Sequence, residues 1–119
     1  MTIQNFILTR DINGYNGFGV PFSNSEFQFI LTPNVVSSLT VPFTQNAVYQ
    51  NLLAIFSPTE GNDVWVAVNN TPIIPASNTP TACNCERNPG GRWVKAGDII
   101  NFITADSNVQ VGVIFYASY

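Results

Sequence analysis

The chain has 119 residues, a formal net charge of −3, 9% charged residues and no histidine. That length supports one domain around one core, and the acidic balance excludes the cationic stripe that nucleic-acid binding needs. Without histidine, Ser-His-Asp, Cys-His and His–metal chemistry drop out together.

Taken in chain order, the residues alternate with period two, and no window carries a helical stripe. "QNFILTR" predicts a first strand, with Phe6 and Leu8 on one face and Ile7 on the other. The start lacks a basic n-region and a small-residue cleavage site, so the expectation is synthesis in the cytoplasm without secretion by the common route. No window reaches the roughly 18 to 20 apolar residues of a spanning helix, so no membrane partner is expected. Asn13-Gly14 is a turn signal. The glycine-rich, aromatic stretch from Tyr15 to Ser25 reads as an ordered loop or irregular edge, with Tyr15 and Phe18 as candidate contact residues.

"EFQFIL" predicts a strand with Phe27, Phe29 and Leu31 on one side, broken by Pro33-Asn34. "VVSSLTV" follows, with Val35, Leu39 and Val41 sharing a face, and Pro42 ends it. The segment from Val48 to Phe56 becomes apolar on both faces in its second half, as a buried central strand does. From Phe27 to Thr59 there is no Asp, Glu, Lys or Arg. A segment of that kind cannot cover itself with solvated charge, which favours an assembly component over a solitary soluble monomer.

Ser57 to Asp63 is a turn cluster, and "VWVAVN" then alternates, Val64, Val66 and Val68 opposing Trp65 and Ala67. Residues 70–91 hold four prolines and many Asn, Thr and Ser, and predict the longest loop of the chain. "RWV" and "DIINFIT" are strands joined by the turn "KAGD", where Gly97 supplies positive φ and Asp98 bonds to nearby backbone. "VQVGVIFYA" closes the pattern with Val109, Val111, Val113 and Phe115 on one face. About eight short strands with turns between them and no helix predict one all-β domain over residues 1–119, an antiparallel β-sandwich of jelly-roll type.

The candidate chemistry is sparse. Cys83 and Cys85 provide two thiols, whereas a structural zinc site needs four ligands, and the chain has no third cysteine. The spacing is C-x-C rather than the redox C-x-x-C, and a bond across one residue is strained. Two free thiols in a loop or at a subunit contact are therefore expected, with no metal and no cofactor. The seven carboxylates, Asp11, Glu26, Glu60, Asp63, Glu86, Asp98 and Asp106, sit in or beside predicted turns. Nothing in their spacing marks a glycosidase pair, so no enzyme is expected. Trp65 and Trp93 suit either core and interface anchoring or a sugar-stacking platform. Arg87, Arg92 and Trp93 lie in the mixed-charge stretch "ERNPGGRWVK", and Arg92 with Trp93 is the expected contact anchor, since both types are enriched at binding hot spots.

Three stretches, "FILTRDINGYNGFGVPFS", "VWVAVNNTPIIPA" and "ERNPGGRWVKAGDIINFITADSNVQVGVIFYA", together with "LTVPFT", resemble small structural proteins encoded by tailed bacteriophages. The resemblance covers most of the chain and carries over no functional residue. It implies a virion component, a capsid decoration or cement protein or a related head-surface protein, commonly a β-sandwich trimer. The expected partners are further copies of the chain and a major capsid protein or another virion protein, and the expected location is the capsid surface. "TACNC" departs from the small or hydrophobic residues ordinary at that place. The other expectation is a carbohydrate- or receptor-binding module of a phage fibre or tail.

Overall fold

The computed structural model of the chain describes residues 5–6, 22–44, 50–76 and 83–118. In chain order they form β1 (Asn5–Phe6), β2 (Glu26–Leu31), β3 (Ser37–Thr40), β4 (Asn51–Pro58) and β5 (Trp65–Val68), then β6 (Glu86–Arg87), β7 (Gly91–Lys95), β8 (Ile99–Ile103) and β9 (Val109–Ser118). No helix occurs among the described residues. One sheet runs β2-β9-β4-β7, with β1 beside the end of β9, and the other runs β3-β8-β5-β6.

The pairings nest. β2 pairs with β9, β3 with β8, β4 with β7 and β5 with β6, all antiparallel. This is one long hairpin, turned back between β5 and β6 and rolled so that β4 also meets β9 and β5 also meets β8. Rolling a hairpin in this way makes a jelly-roll sandwich; alternation predicts the strands and the sandwich, and the pairing order comes from the tertiary structure. The single parallel pairing described is β1 on β9, Asn5 opposite Ala117 and Phe6 opposite Ser118.

Alternation decides what lies between the sheets. Val109, Val111, Val113, Phe115 and Ala117 of β9 point inward and are buried, as do Leu52, Ala54 and Phe56 of β4. Ile100 and Phe102 of β8 and Val66 of β5 face them from the other sheet. Phe102 is the hub: its ring meets Phe29 at 5.1 Å and Phe56 at 6.1 Å, both edge to face. Phe27 meets Phe115 in the same manner at 5.8 Å, and such pairs add about 0.5–1.5 kcal/mol each beyond the area they bury.

Several boundaries differ from the sequence expectation, each for a physical reason. Val35 lies outside β3 and is half exposed, because Asn34 at φ 62° and the bond from Val35 N to Thr32 O close a turn there. β4 runs on to Pro58 through the intended turn, since Pro58 still faces Val111 of β9. Phe56 N donates to Gly90 O on the other edge, so Pro58, two residues on, turns its missing N–H to the side where β7 has already ended. Proline is tolerated in a strand at such a position. The loop over residues 70–91 is interrupted by β6, whose Arg87 and Glu86 stand opposite Trp65 and Val66. Beyond Phe6, the rest of the first predicted strand and the stretch through Pro21, including Tyr15 and Phe18, lie outside the described residues. At the close of that stretch Ser23 is buried, and its hydroxyl donates to Phe115 O at 2.6 Å while accepting Ser25 N at 3.0 Å.

Candidate contact surfaces and the Cys83–Cys85 loop

The strands β6 and β7 are edge strands of opposite sheets, and the turn between them brings their inward-facing residues together. Glu86 stands opposite Val66 on one sheet and Arg92 opposite Ala54 on the other. Both side chains therefore leave the core side and meet across the gap. Arg92 Nε donates to Glu86 Oε2 at 2.8 Å and Nη2 to Oε1 at 3.2 Å, a bidentate fork, which is the strong form of such a pair. The hydrogen bond to Arg92 holds the Glu86 carboxyl below its ordinary range, and Glu86 in turn raises Arg92. About half of each side chain is exposed, so water screens the pair. It closes the edge of the sandwich without being a buried charge.

Behind the fork lies a pocket of about 310 Å³, floored by Phe56, Val66 and Val68, with Cys83 and Cys85 on its rim. It exists because β6 pairs only with Trp65 and Val66, leaving the far half of β5 without a neighbour on that side. Residues 83–85 cover the vacancy. Asn84 Nδ2 donates to Thr71 O at 3.1 Å, and Cys85 Sγ lies 3.5 Å from Ile73 O. Both cysteines are free. Burial pushes the Cys85 thiol above its ordinary range, and the neighbouring Cys83 thiol adds to the effect.

Trp93 and Arg92 do not act together. Neighbours in a strand point to opposite faces, and Trp93, 63% exposed, stands on the outer face of its sheet. Leu53 lies beside it and Tyr116 beyond, in one cross-strand row. Ile55 and Ile114 form the next row on that face, and Ile30, 67% exposed, is at its β2 margin. Lys95 and Glu26 are the charged residues of these strands on the same face. Trp65 is half-buried on the outer face of the other sheet, between Arg87 and Ile103. The two tryptophans thus lie on opposite outer faces and form no shared platform, while Arg87 is exposed on the β6 edge.

Asp63, Asp98 and Asp106 serve turns. Asp98 accepts Lys95 N at 2.9 Å and Asn69 Nδ2 at 3.1 Å, beside Gly97 at φ 89°, as the "KAGD" turn requires. Asp106 accepts Asp63 N at 3.0 Å. Asn88, at φ 46°, accepts Val64 N at 2.8 Å through Oδ1 and donates Nδ2 to Asn62 O and Asp63 Oδ1. Among the described residues no three of His, Cys, Asp and Glu converge on a point where a metal would sit.

Sequence reasoning missed Glu86 as the partner of Arg92, and it missed the outer apolar rows. The signal for the rows was present in the two-faced apolar character of β4 and in "VIFY" of β9. Nothing local marked the ion pair, which exists only because β6 and β7 become neighbours. No known protein family, curated protein or solved structure matches the chain.

Proposed function

We propose that the chain is a non-enzymatic structural protein of a tailed-phage virion, an oligomer, trimeric in form, that decorates or cements the head surface. One observation carries this reading. The outer face of the β2-β9-β4-β7 sheet carries an apolar patch among polar neighbours, Leu53, Ile55, Ile114 and Trp93 with Ile30 at the margin, and Trp93 and Ile30 are 63% and 67% exposed. Exposed apolar patches of this kind mark contact sites. The chain's sparse charge lowers the desolvation cost of such burial, and jelly rolls are a common capsid architecture. The motif resemblance to phage structural proteins points the same way. The copies of this chain and a capsid protein are the partners, and the capsid surface is the location.

The test mixes purified protein with particles that lack it and images the product. Occupancy of regular sites on the shell is the expected result, and particles left bare at saturating protein would end the reading.

A carbohydrate-binding module of a fibre or tail is the second reading, favoured by the exposed indole of Trp93, because a flat aromatic face can stack on a sugar ring. A glycan array decides it. Binding abolished by Trp93→Ala supports it, and an intact oligomer that holds no glycan removes it.

A further inference from the structure

The outermost strand of a sheet leaves a row of main-chain N–H and C=O groups unpaired, and proteins guard such edges against other chains. Here β7, β6 and β2 are guarded. The bonds from Phe56 N to Gly90 O and from Ala96 N to Gln50 O turn Gly91, Trp93 and Lys95 outward on β7. Arg92 Nη1 then donates to Gly91 O at 2.7 Å, and the Asp98 carboxylate accepts Lys95 N at 2.9 Å. β6 is two residues long, both of them charged. On β2, Phe115 N donates to Ser25 O, so Glu26 is turned away from β9 and sets its carboxylate on the free edge.

β3 has no such guard. Val41 N donates to Asp98 O at 2.8 Å, and Leu39 and Ser37 stand opposite Ile100 and Phe102. By alternation those residues bond toward β8, while Ser38 and Thr40 turn their N–H and C=O groups outward. Among the described residues nothing bonds to them on that side. The strand, "SSLT", holds no charge and no proline, and the Ser38 hydroxyl is bonded to Asn101 Oδ1 rather than folded over its own edge.

We propose that β3 pairs antiparallel with β3 of a second copy, about a two-fold axis passing between the two Leu39 residues. The inference goes beyond the virion reading and does not rest on it, since an edge contact joins copies in pairs beside any contact that the outer face makes. Register follows from which groups are free. Ser38 of each copy faces Thr40 of the other, and each such pair exchanges N–H···O=C bonds in both directions. Centring the pair on Thr40 instead would set Ser38 against Pro42, which has no N–H. Centring it on Ser38 would set Thr40 against Val36, which lies outside the strand. In the chosen register Leu39 meets Leu39 at a non-bonded position, where side chains approach most closely. Leu39 already packs at the margin of the core, partly buried, so the pairing carries that core across the axis.

The occupant is a second copy because the edge is complementary to itself, as a two-fold contact requires, and because charge permits it. The chain carries a formal net charge of −3, yet no charged residue lies between Phe27 and Thr59. Two like-charged copies meet along this segment without opposing one charge to another.

The experiment follows amide hydrogen exchange of the full chain by nuclear magnetic resonance over a concentration series. The Ser38 and Thr40 amides should exchange freely in dilute protein and slow by roughly tenfold or more when it is concentrated, while Gln28 and Trp93, outward on other edges, should not slow with them. A mixture of labelled and unlabelled chains should show a nuclear Overhauser contact between Leu39 of the two copies. Ser38→Pro deletes an outward N–H and keeps the bonds of Ser37 and Leu39 to β8, a place where an edge strand tolerates proline. It should fold, by circular dichroism, and leave Thr40 unprotected. Thr40→Lys changes an exposed side chain, charges the edge and should act alike, so it carries the test if the proline variant is unfolded. Exchange independent of concentration, slowing shared equally by Gln28 and Trp93, or protection retained in the folded variants would overturn the proposal. Amides that close only when capsid particles are added would assign the edge to a foreign strand and overturn it as well.

Discussion

Glu86 and Arg92 belong to different sheets yet share a two-bond fork, 2.8 and 3.2 Å long, across the open edge of the sandwich. The chain needs only the turn at Asn88 and Pro89 to bring them there. Because both groups are half exposed, the fork orients the β6–β7 turn more than it holds the fold together. Glu86→Ala and Arg92→Ala should both fold and melt close to the wild-type temperature. The charge-swapped pair, Glu86→Arg with Arg92→Glu, should recover what either swap alone loses, and about 0.5 M salt should erase the differences. Thermal melts of the set are the measurement, and a single variant that loses cooperative unfolding would contradict this account.

Phe102 is a different case. It is fully buried and touches the rings of Phe29 and Phe56, one from each of the two strands it faces. Phe102→Ala removes both edge contacts and opens a cavity at the centre of the core, so a loss of about 3–5 kcal/mol is expected. Urea denaturation reads it directly. A loss below about 1 kcal/mol would mean that the sheets are not packed through this ring.

Asn88 carries backbone and side-chain duties at once. Its φ of 46° is in the left-handed region, which Asn tolerates better than Ala, and its side chain accepts the Val64 N–H at 2.8 Å. Asn88→Ala should destabilise by about 1–3 kcal/mol through the orphaned donor and the strained backbone together. Asn88→Gly relieves only the backbone part, so it should lie between Ala and wild type. Equal stability of all three, again by urea titration, would show that the turn is held by other bonds.

The outer face gives the prediction that bears on assembly. Trp93→Ala and Ile30→Lys change exposed side chains, so the stability of the individual fold should move by no more than about 0.5 kcal/mol. If the face is covered by a neighbouring copy, each change should raise the dissociation constant of the oligomer by roughly tenfold or more. Sedimentation velocity across a concentration series measures this. An oligomer indifferent to both substitutions would place its interface elsewhere.

How much of this was readable beforehand can be judged at single residues. Val109, Val111, Val113 and Phe115 announce an inward face by alternation, and all four are buried. Gly97 and Asp98 announce their turn by residue type, and the turn has the expected φ and hydrogen bond. Arg92 and Trp93 show the boundary of such reasoning. Their adjacency suggested one anchor, although period two within "RWV" already assigns them to opposite faces. Where each face leads was not legible, since Glu86 and Leu53 are reached through strand pairing.

The amino-acid sequence alone determined that this protein is all-β, where most strands lie and which side of each is apolar, because side-chain direction and turn preference are local properties of the backbone. Only the tertiary structure decided the nested pairing order, the short β6 inside an apparent loop, the fork between Glu86 and Arg92, and the separation of the two tryptophans onto opposite faces. Those features follow from which strands become neighbours when the hairpin rolls. Such neighbours meet through contacts between residues far apart in the chain, as Phe102 does with Phe29 and Phe56, which no stretch of adjacent residues encodes.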